Sequence, residues 1–358
     1  MPSPIVPVRR VPTLAAGAIA ALAALALAAG GCGGDGDDGP PAPAPRTYTF
    51  GPFELAPGEE LAGDCVSVAL DNAAPLYVNA VELVTQSGFH HSNWFWVPEN
   101  IFPGPDGIWD CDARGYDEVV AGGAGAVLFA QSTQSVTERQ DFPDGVVIPI
   151  PPRSKIVAGI HLLNASDAPL TTSLELTITP VAAEEVVTKL GTFALDYRRL
   201  ALPPQRASSF TIECDLADLH QRLIGSPLDW NLYYALPHYH EYGRGFDLVA
   251  TGGPAGDVTI VSSEGAIGEP LGTVLDPAFS LEGFTGIRFT CRFDNPTDRT
   301  IRYGLAGGEM CVFQGFTDSI YKWGGQTAPS GTSTSEDDGE VVRFTHPCEM
   351  FGFPIVDP

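Results

Sequence analysis

Positive charge is scarce in this chain of 358 residues. Nineteen Lys and Arg stand against 44 Asp and Glu, a formal net charge of -25. So acidic a surface repels phosphate, which excludes nucleic acid as a partner and excludes charge-driven adhesion to anionic lipid. Helical periodicity is nearly absent: only 216–223 reads as a helix, and 40 Gly and 32 Pro interrupt the rest. Long apolar runs are missing apart from residues 14–29, which follow Arg9 and Arg10. That run is short for a membrane span and ends in small residues. No two cysteines have the Cys-x-x-Cys spacing, which argues against a thiolate zinc site. Methionine and histidine are also few, 3 and 7.

The apolar run leads into Leu27-Ala28-Ala29-Gly30-Gly31-Cys32. Small residues directly before a cysteine form a lipobox pattern, with Cys32 as the lipidated first residue of a mature bacterial lipoprotein. An ordinary cleaved signal peptide is the plainer alternative, and the arginine pair is a weak twin-arginine pattern. Every reading exports the chain. Membrane contact then runs only through the lipid anchor, on the periplasmic or the cell-surface face. The other six cysteines are Cys65, Cys111, Cys214, Cys291, Cys311 and Cys348. An even number in an exported chain suggests disulfides, with every pairing open at this point.

Residues 33–46 are Gly, Asp, Pro and Ala up to a final Arg46 and read as a flexible tether. Beyond it, β-branched and aromatic runs at 48–50, 76–83, 146–150, 173–179, 258–261 and 287–293 are punctuated by Gly, Pro, Asn and Asp. The pattern predicts an all-β chain of antiparallel sandwiches, two in tandem. A weak internal echo supports the duplication. Phe53-Glu-Leu-Ala-Pro57 precedes Cys65 as Leu200-Ala-Leu-Pro-Pro204 precedes Cys214. Later in each half a strand runs into an Asn turn, Asn164-Ala-Ser-Asp or Asp294-Asn-Pro-Thr-Asp. The expected organisation is a leader over 1–32, the linker over 33–46, a first sandwich over 47–184 and a second over 185–358. The polar stretch 327–340 reads as a mobile loop.

Five of the histidines sit in three contexts: His90-His91, His161, and His238-Tyr239-His240. Residues i and i+2 of a strand share a face, so His238 and His240 can converge on one ion if both lie on a strand. Adjacent strand residues point oppositely, so His90 and His91 can share an ion only at a bulge or a strand end, and Gly88 makes a bend plausible. His161 alone reads as a packed histidine. His220 and His346 have no partner pattern and read as structural. Met310, in Glu-Met-Cys, offers a soft thioether suited to Cu(I), although a single Met is ordinarily core.

His-His, then a lone strand His, then His-x-His-x-x-Gly, then Glu-Met-Cys: in that order the chain resembles the copper type II, ascorbate-dependent monooxygenases. This family includes peptidylglycine α-hydroxylating monooxygenase and dopamine β-monooxygenase. The resemblance runs from about residue 47 to about residue 351 through short matching segments. It implies two tandem jelly-roll-like domains and two copper ions, one per domain. His90, His91 and His161 would hold the electron-supplying ion. His238, His240 and Met310 would hold the ion that binds dioxygen and hydroxylates substrate, with an open, solvent-filled cleft between the two. It further implies the pairs Cys65–Cys111 and Cys291–Cys311, with Cys214–Cys348 closing the second domain.

The chain departs from the family in places. Ser92 stands where Met usually follows His-His. Leu236 replaces an Arg that helps bind a substrate carboxylate, and Val312 and Gln314 replace an Asn and a Tyr. Without that clamp a glycine-extended peptide is not the expected substrate. The expectation is a copper-dependent monooxygenase acting on a small-molecule or peptide-like substrate with O2 and an external reductant whose identity the sequence leaves open. A non-catalytic copper-binding or copper-sequestering surface lipoprotein is the alternative.

Overall fold

A computed structural model describes residues 43–264, 267–304 and 307–355. The leader, most of the linker and Cys32 lie outside the described residues. Two sheets are built from the chain up to Lys189. One runs in the order Gly107–Asp110, Glu60–Ala69, Ser154–Leu163, Phe89–Pro98 and Ala126–Ala130. The other runs Arg46–Leu55, Leu170–Val181, Leu76–Thr85, Val146–Ile150 and Thr188–Lys189, with Thr137–Asp141 also on Leu76–Thr85. Alternate residues of the two sheets meet in one core. Val66, Trp94, Ile156 and Ile160 come from the first, and Phe50, Val81, Leu83 and Leu176 from the second. This is a sandwich, in which period-two patterning sends every other side chain inward.

Eleven strands from Gly191 onward form one sheet, Ala201–Leu202 and Ile301–Arg302 pair separately, and among the described residues no ladder links the large sheet to strands ending at or before Lys189. The 14-residue strand Val341–Pro354 lets one sheet form both layers. Residues 341–347 pair parallel with 207–213 of Arg206–Asp215, and residues 348–354 pair antiparallel with Tyr321–Thr327. One strand serving two layers makes the corner of the sandwich. Cys348, at the switch of partner, is bonded to Cys214. Cys65–Cys111 and Cys291–Cys311 are the other disulfides, so all three pairs follow the arrangement that the family resemblance implies. Disulfides persist in oxidising compartments, and the folded chain is extracytoplasmic.

The all-β expectation holds, with four differences in detail. The ladders of Thr188–Lys189 with Val146–Ile150, Gly191–Asp196 with Tyr321–Thr327, and Arg206–Asp215 with Val341–Pro354 are parallel. The 216–223 helix extends to Ile224. A second helix, Glu118–Ala124, forms despite two glycines and two valines. Asp117 caps its first turn, accepting from the Val120 N–H at 2.9 Å. Lys322 caps its end, donating to the carbonyls of Gly122, Gly123 and Gly125. Caps satisfy the orphan backbone groups of a helix whose propensity is poor. Finally, 327–340 is not wholly a loop: Thr334–Asp337 pairs with Val341–Pro354.

The internal echo has an atomic counterpart. Asn164 donates through Nδ2 to the carbonyls of Ala56 and Ala168 and accepts from the Ser166 N–H and hydroxyl. Asn295 donates to the carbonyls of Pro203 and Arg299 and accepts from the Thr297 N–H and hydroxyl. In both halves one buried Asn ties the end of a strand to a Pro-containing turn far back in sequence. Replacing Asn164 or Asn295 by Ala strands several buried carbonyls and should cost about 3 kcal/mol in urea unfolding. Unchanged stability in both variants would contradict this account.

Candidate metal centre

The strand Phe89–Pro98 carries the first pair of histidines. Phe89 lies opposite Leu162 and His91 opposite His161, so the register slips by one residue between Phe89 and His91. His90 is the extra residue. Without the slip Phe89 and His91 would share a face. With it Phe89 joins the sandwich core, while His91 points out of the sandwich beside His161. The bulge also turns the His90 ring to the same side, 4.6 Å from the His161 ring. The Gln134 N–H donates to the His90 carbonyl at 2.6 Å, and Gly88 with φ 95° supplies the preceding turn. Both histidines therefore face one point, as a bulge permits and a regular strand forbids.

The second pair arrives from Asn231–His238. A register slip between Leu232 and Tyr234 sends Tyr234 and Leu236 to the first sandwich core, while Ala235 and Tyr239 face the second. His238 follows the parity of Leu236, and its ring lies 4.8 Å from that of His91. The strand ends at His238, so His240 does not converge by strand alternation as the His-x-His spacing suggests. It is held by hydrogen bonds beyond the strand. Glu309, fully buried, accepts the N–H groups of His240 and Met310 on Oε1 and that of Tyr242 on Oε2. The Thr133 hydroxyl donates to the Tyr239 carbonyl at 2.6 Å. Gly243 completes the motif for a steric reason: a Cβ there would lie 1.9 Å from Cδ2 of Tyr239.

These elements bring all five histidines into one cluster. Each is only 3 to 8% exposed. Two sets have ligand atoms within 4.8 Å of one another: His90, His91 and His161, and His91, His238 and His240. His161 Nδ1 lies 3.2 Å from His90 Nδ1 and 3.0 Å from His91 Nε2. Tetrahedral imidazole nitrogens at about 2.0–2.1 Å from an ion are about 3.4 Å apart, so the first set is close to ligand spacing. The resemblance implies an open, solvent-filled cleft between two sites. The structure instead packs the sets against each other, with the His90 and His240 rings 5.2 Å apart.

The remaining bonds fix which nitrogens are free. His161 Nε2 faces Glu60 Oε1 at 2.7 Å, and His240 Nδ1 donates to the Gly308 carbonyl at 3.1 Å. Each leaves the other ring nitrogen for an ion, an arrangement typical of metal-ligating histidines. Both nitrogens of His238 and Nε2 of His240 are buried without a hydrogen-bond partner. Burial lowers the pKa of all five, His90 to about 3, and keeps the rings neutral as metal ligation requires. Orphaned nitrogens, neutral rings and ligand spacing together fit a metal ion held by imidazole.

Met310 is half-buried, its backbone joined to that of His240 through one oxygen of Glu309. Cys311, its neighbour, is fixed by the bond to Cys291. Ser92 faces inward, donating to Gln131 Oε1 and accepting from the Trp94 indole, so the family's Met is replaced by a sheet-locking hydroxyl. His220 and His346 stand outside the cluster. His220 donates to the Ser226 carbonyl, and His346 is bonded to Ser333 and the Ala328 carbonyl. The sequence analysis missed Glu60 and Glu309. Glu309 had a signal, its place beside Met310; Glu60 had none. Burial pushes the Glu309 pKa up to about 7 against its three N–H donors. A groove of about 400 Å³ lies behind the His90 bulge, with Phe89, Gln134, Leu163 and Asn164 among its lining.

No protein-family model matches the chain, and no curated protein matches it. Among solved structures, a "putative secreted protein" from Parabacteroides distasonis is 9% identical, with 78% of this chain and 92% of that one covered and a TM-score of 0.19. The PBSX exported protein XepA is 11% identical, with 76% and 86% covered and a TM-score of 0.20. Similarity at that level says nothing about what this chain does.

Two measurements check the site. The metal-free protein should lose stability as pH falls from about 6.5 toward 3, because the unfolded histidines take up protons that the buried ones refuse. His91→Phe should flatten that loss in thermal unfolding, and an unchanged slope would count against it. Glu309→Gln replaces one acceptor oxygen by a donor facing the Tyr242 N–H. It should weaken metal binding by His238 and His240 about 10-fold or more in a metal titration, leaving the other set unaffected.

Proposed function

We propose that this chain is a copper-dependent monooxygenase that hydroxylates a C–H bond of an organic substrate outside the cytoplasm. The observation that carries the reading is the convergence of five buried, neutral histidines from three separate sequence contexts. Their order along the chain, with Met310 following, is what supports copper over other imidazole-binding metals. His90, His91 and His161 would hold one ion. His238 and His240 would hold the other, with the Met310 thioether as a soft partner for Cu(I). Copper, when bound, supplies one-electron steps to dioxygen. The balance is one substrate C–H, one O2, two electrons and two protons, giving the alcohol and water. The electrons come from an external reductant.

The residues of this chain do the positioning. Glu60 and the Gly308 carbonyl set the tautomers of His161 and His240. The packing around the cluster leaves the five histidines only 3 to 8% exposed. Leu236, Val312 and Gln314 leave no charged clamp for a substrate carboxylate, so the substrate class is one without a required terminal carboxylate. Cys32 would tether the domain to a membrane through the linker.

A second reading, a copper-sequestering lipoprotein without turnover, is favoured by the near-complete burial of the rings. Elemental analysis and product analysis separate the two. The mature chain should bind two copper ions, with one lost or weakened in each of Met310→Ala and His161→Ala. With reductant, 18O2 and a panel of organic substrates, label should enter a hydroxylated product. Copper without labelled product in any substrate favours sequestration. No copper at micromolar free metal, or copper indifferent to both substitutions, sinks both readings.

A further inference from the structure

We infer that His91 serves both metal positions, so that the centre is one dinuclear unit and not two independent one-ion sites. The inference rests on the metal-binding reading above and deepens it. His91 is the one residue common to the two ligand sets. Its Nε2 lies 3.0 Å from His161 Nδ1. Its ring centre lies 4.8 Å from that of His238, and it stacks on His240 at 5.3 Å with 25° between the planes. It therefore sits between the two sets.

The outer bonds point the same way. His161 and His240 each spend one nitrogen on an outside acceptor, Glu60 and the Gly308 carbonyl, and so each offers one nitrogen to an ion. Among the described residues, no carboxylate or carbonyl accepts a hydrogen bond from His91. A neutral imidazole offers one lone pair, but loss of its remaining N–H proton to solvent as the second ion binds gives an imidazolate, and a ring with neither nitrogen tied to an outside acceptor can then face two ions at once. With His91 the second set has three imidazoles, to which the Met310 thioether would add a further donor. The local backbone explains why this histidine has the role. The bulge at His90 turns His91 out of the sandwich directly opposite His161, onto the face that the second half of the chain covers. Sequence order assigns His91 to the first set alone. Only the packing gives it to both.

Copper titration of the mature protein, followed by electron paramagnetic resonance and equilibrium dialysis, tests the inference with Cu(II) as the probe. The first equivalent should give an isolated Cu(II) signal. The second should lower the spin count per copper, because two spins sharing a ligand couple. Filling one position with Zn(II) should restore the isolated signal. His91→Ala should weaken both ions by at least about 10-fold, while His90→Ala and His238→Ala each weaken one. Thermal unfolding of the three metal-free variants shows that each still folds, and His91→Gln provides a second probe if His91→Ala does not. Two coppers with full, uncoupled spin, or a His91 variant that loses only one ion, overturn the shared ligand and leave the metal-binding reading intact. No bound copper overturns both.

Discussion

Removing five imidazoles from water is the constraint around which this molecule is arranged. A buried polar atom without a partner costs on the order of 1–3 kcal/mol, and three ring nitrogens of His238 and His240 have none. Burial holds the rings neutral, so they present lone pairs rather than charges. A fold that concentrates such groups at one point carries an unfavourable term unless something binds there. Copper bound by those nitrogens would offset it, which makes the proposed function and the stability of the centre one problem.

Two kinds of support hold the cluster in place. On the first sandwich the rings ride on paired strands, and a one-residue bulge does the aiming. On the second they sit at and just past a strand end, where ladder bonds stop. There a single buried carboxylate takes over, gathering the N–H groups of His240, Tyr242 and Met310. Its pKa near 7 reflects the competition between burial and those donors. Tyr239 packed against Gly243 and the Thr133 bond to the Tyr239 carbonyl complete the support. The motif His-x-His-x-x-Gly is thus a packing unit as well as a ligand pair: the middle residue anchors the turn and the glycine makes room for it.

The family resemblance and the structure part company at the space between the sites. The resemblance implies two ions facing each other across water. Here Tyr234, Leu236 and Phe316 of the later strands join the core of the first sandwich, and that shared apolar packing brings His238 onto His91. Strand residues that face the first half are apolar where the family places a charged substrate clamp. Leu236 is both the missing clamp and part of the packing that closes the gap.

Much of the fold was legible in the sequence, because period-two patterning, Pro and Gly punctuation and paired Asn turns are local signals. Asn164 and Asn295 show it best: the echo around them corresponds to matching hydrogen bonds. The five histidines that cluster were singled out too, since histidine is rare enough that their order carries information. What the sequence could not contain was geometry that depends on distant partners. The bulge at His90 is defined only by register against His161. His240 is placed by Glu309, 69 residues away. The parallel ladders and the helix capped by Lys322 likewise depend on segments brought together late in the chain. Residue chemistry and alternation are properties of the chain itself, whereas convergence of five imidazoles on one point is decided by which faces pack, and only the tertiary structure fixes that.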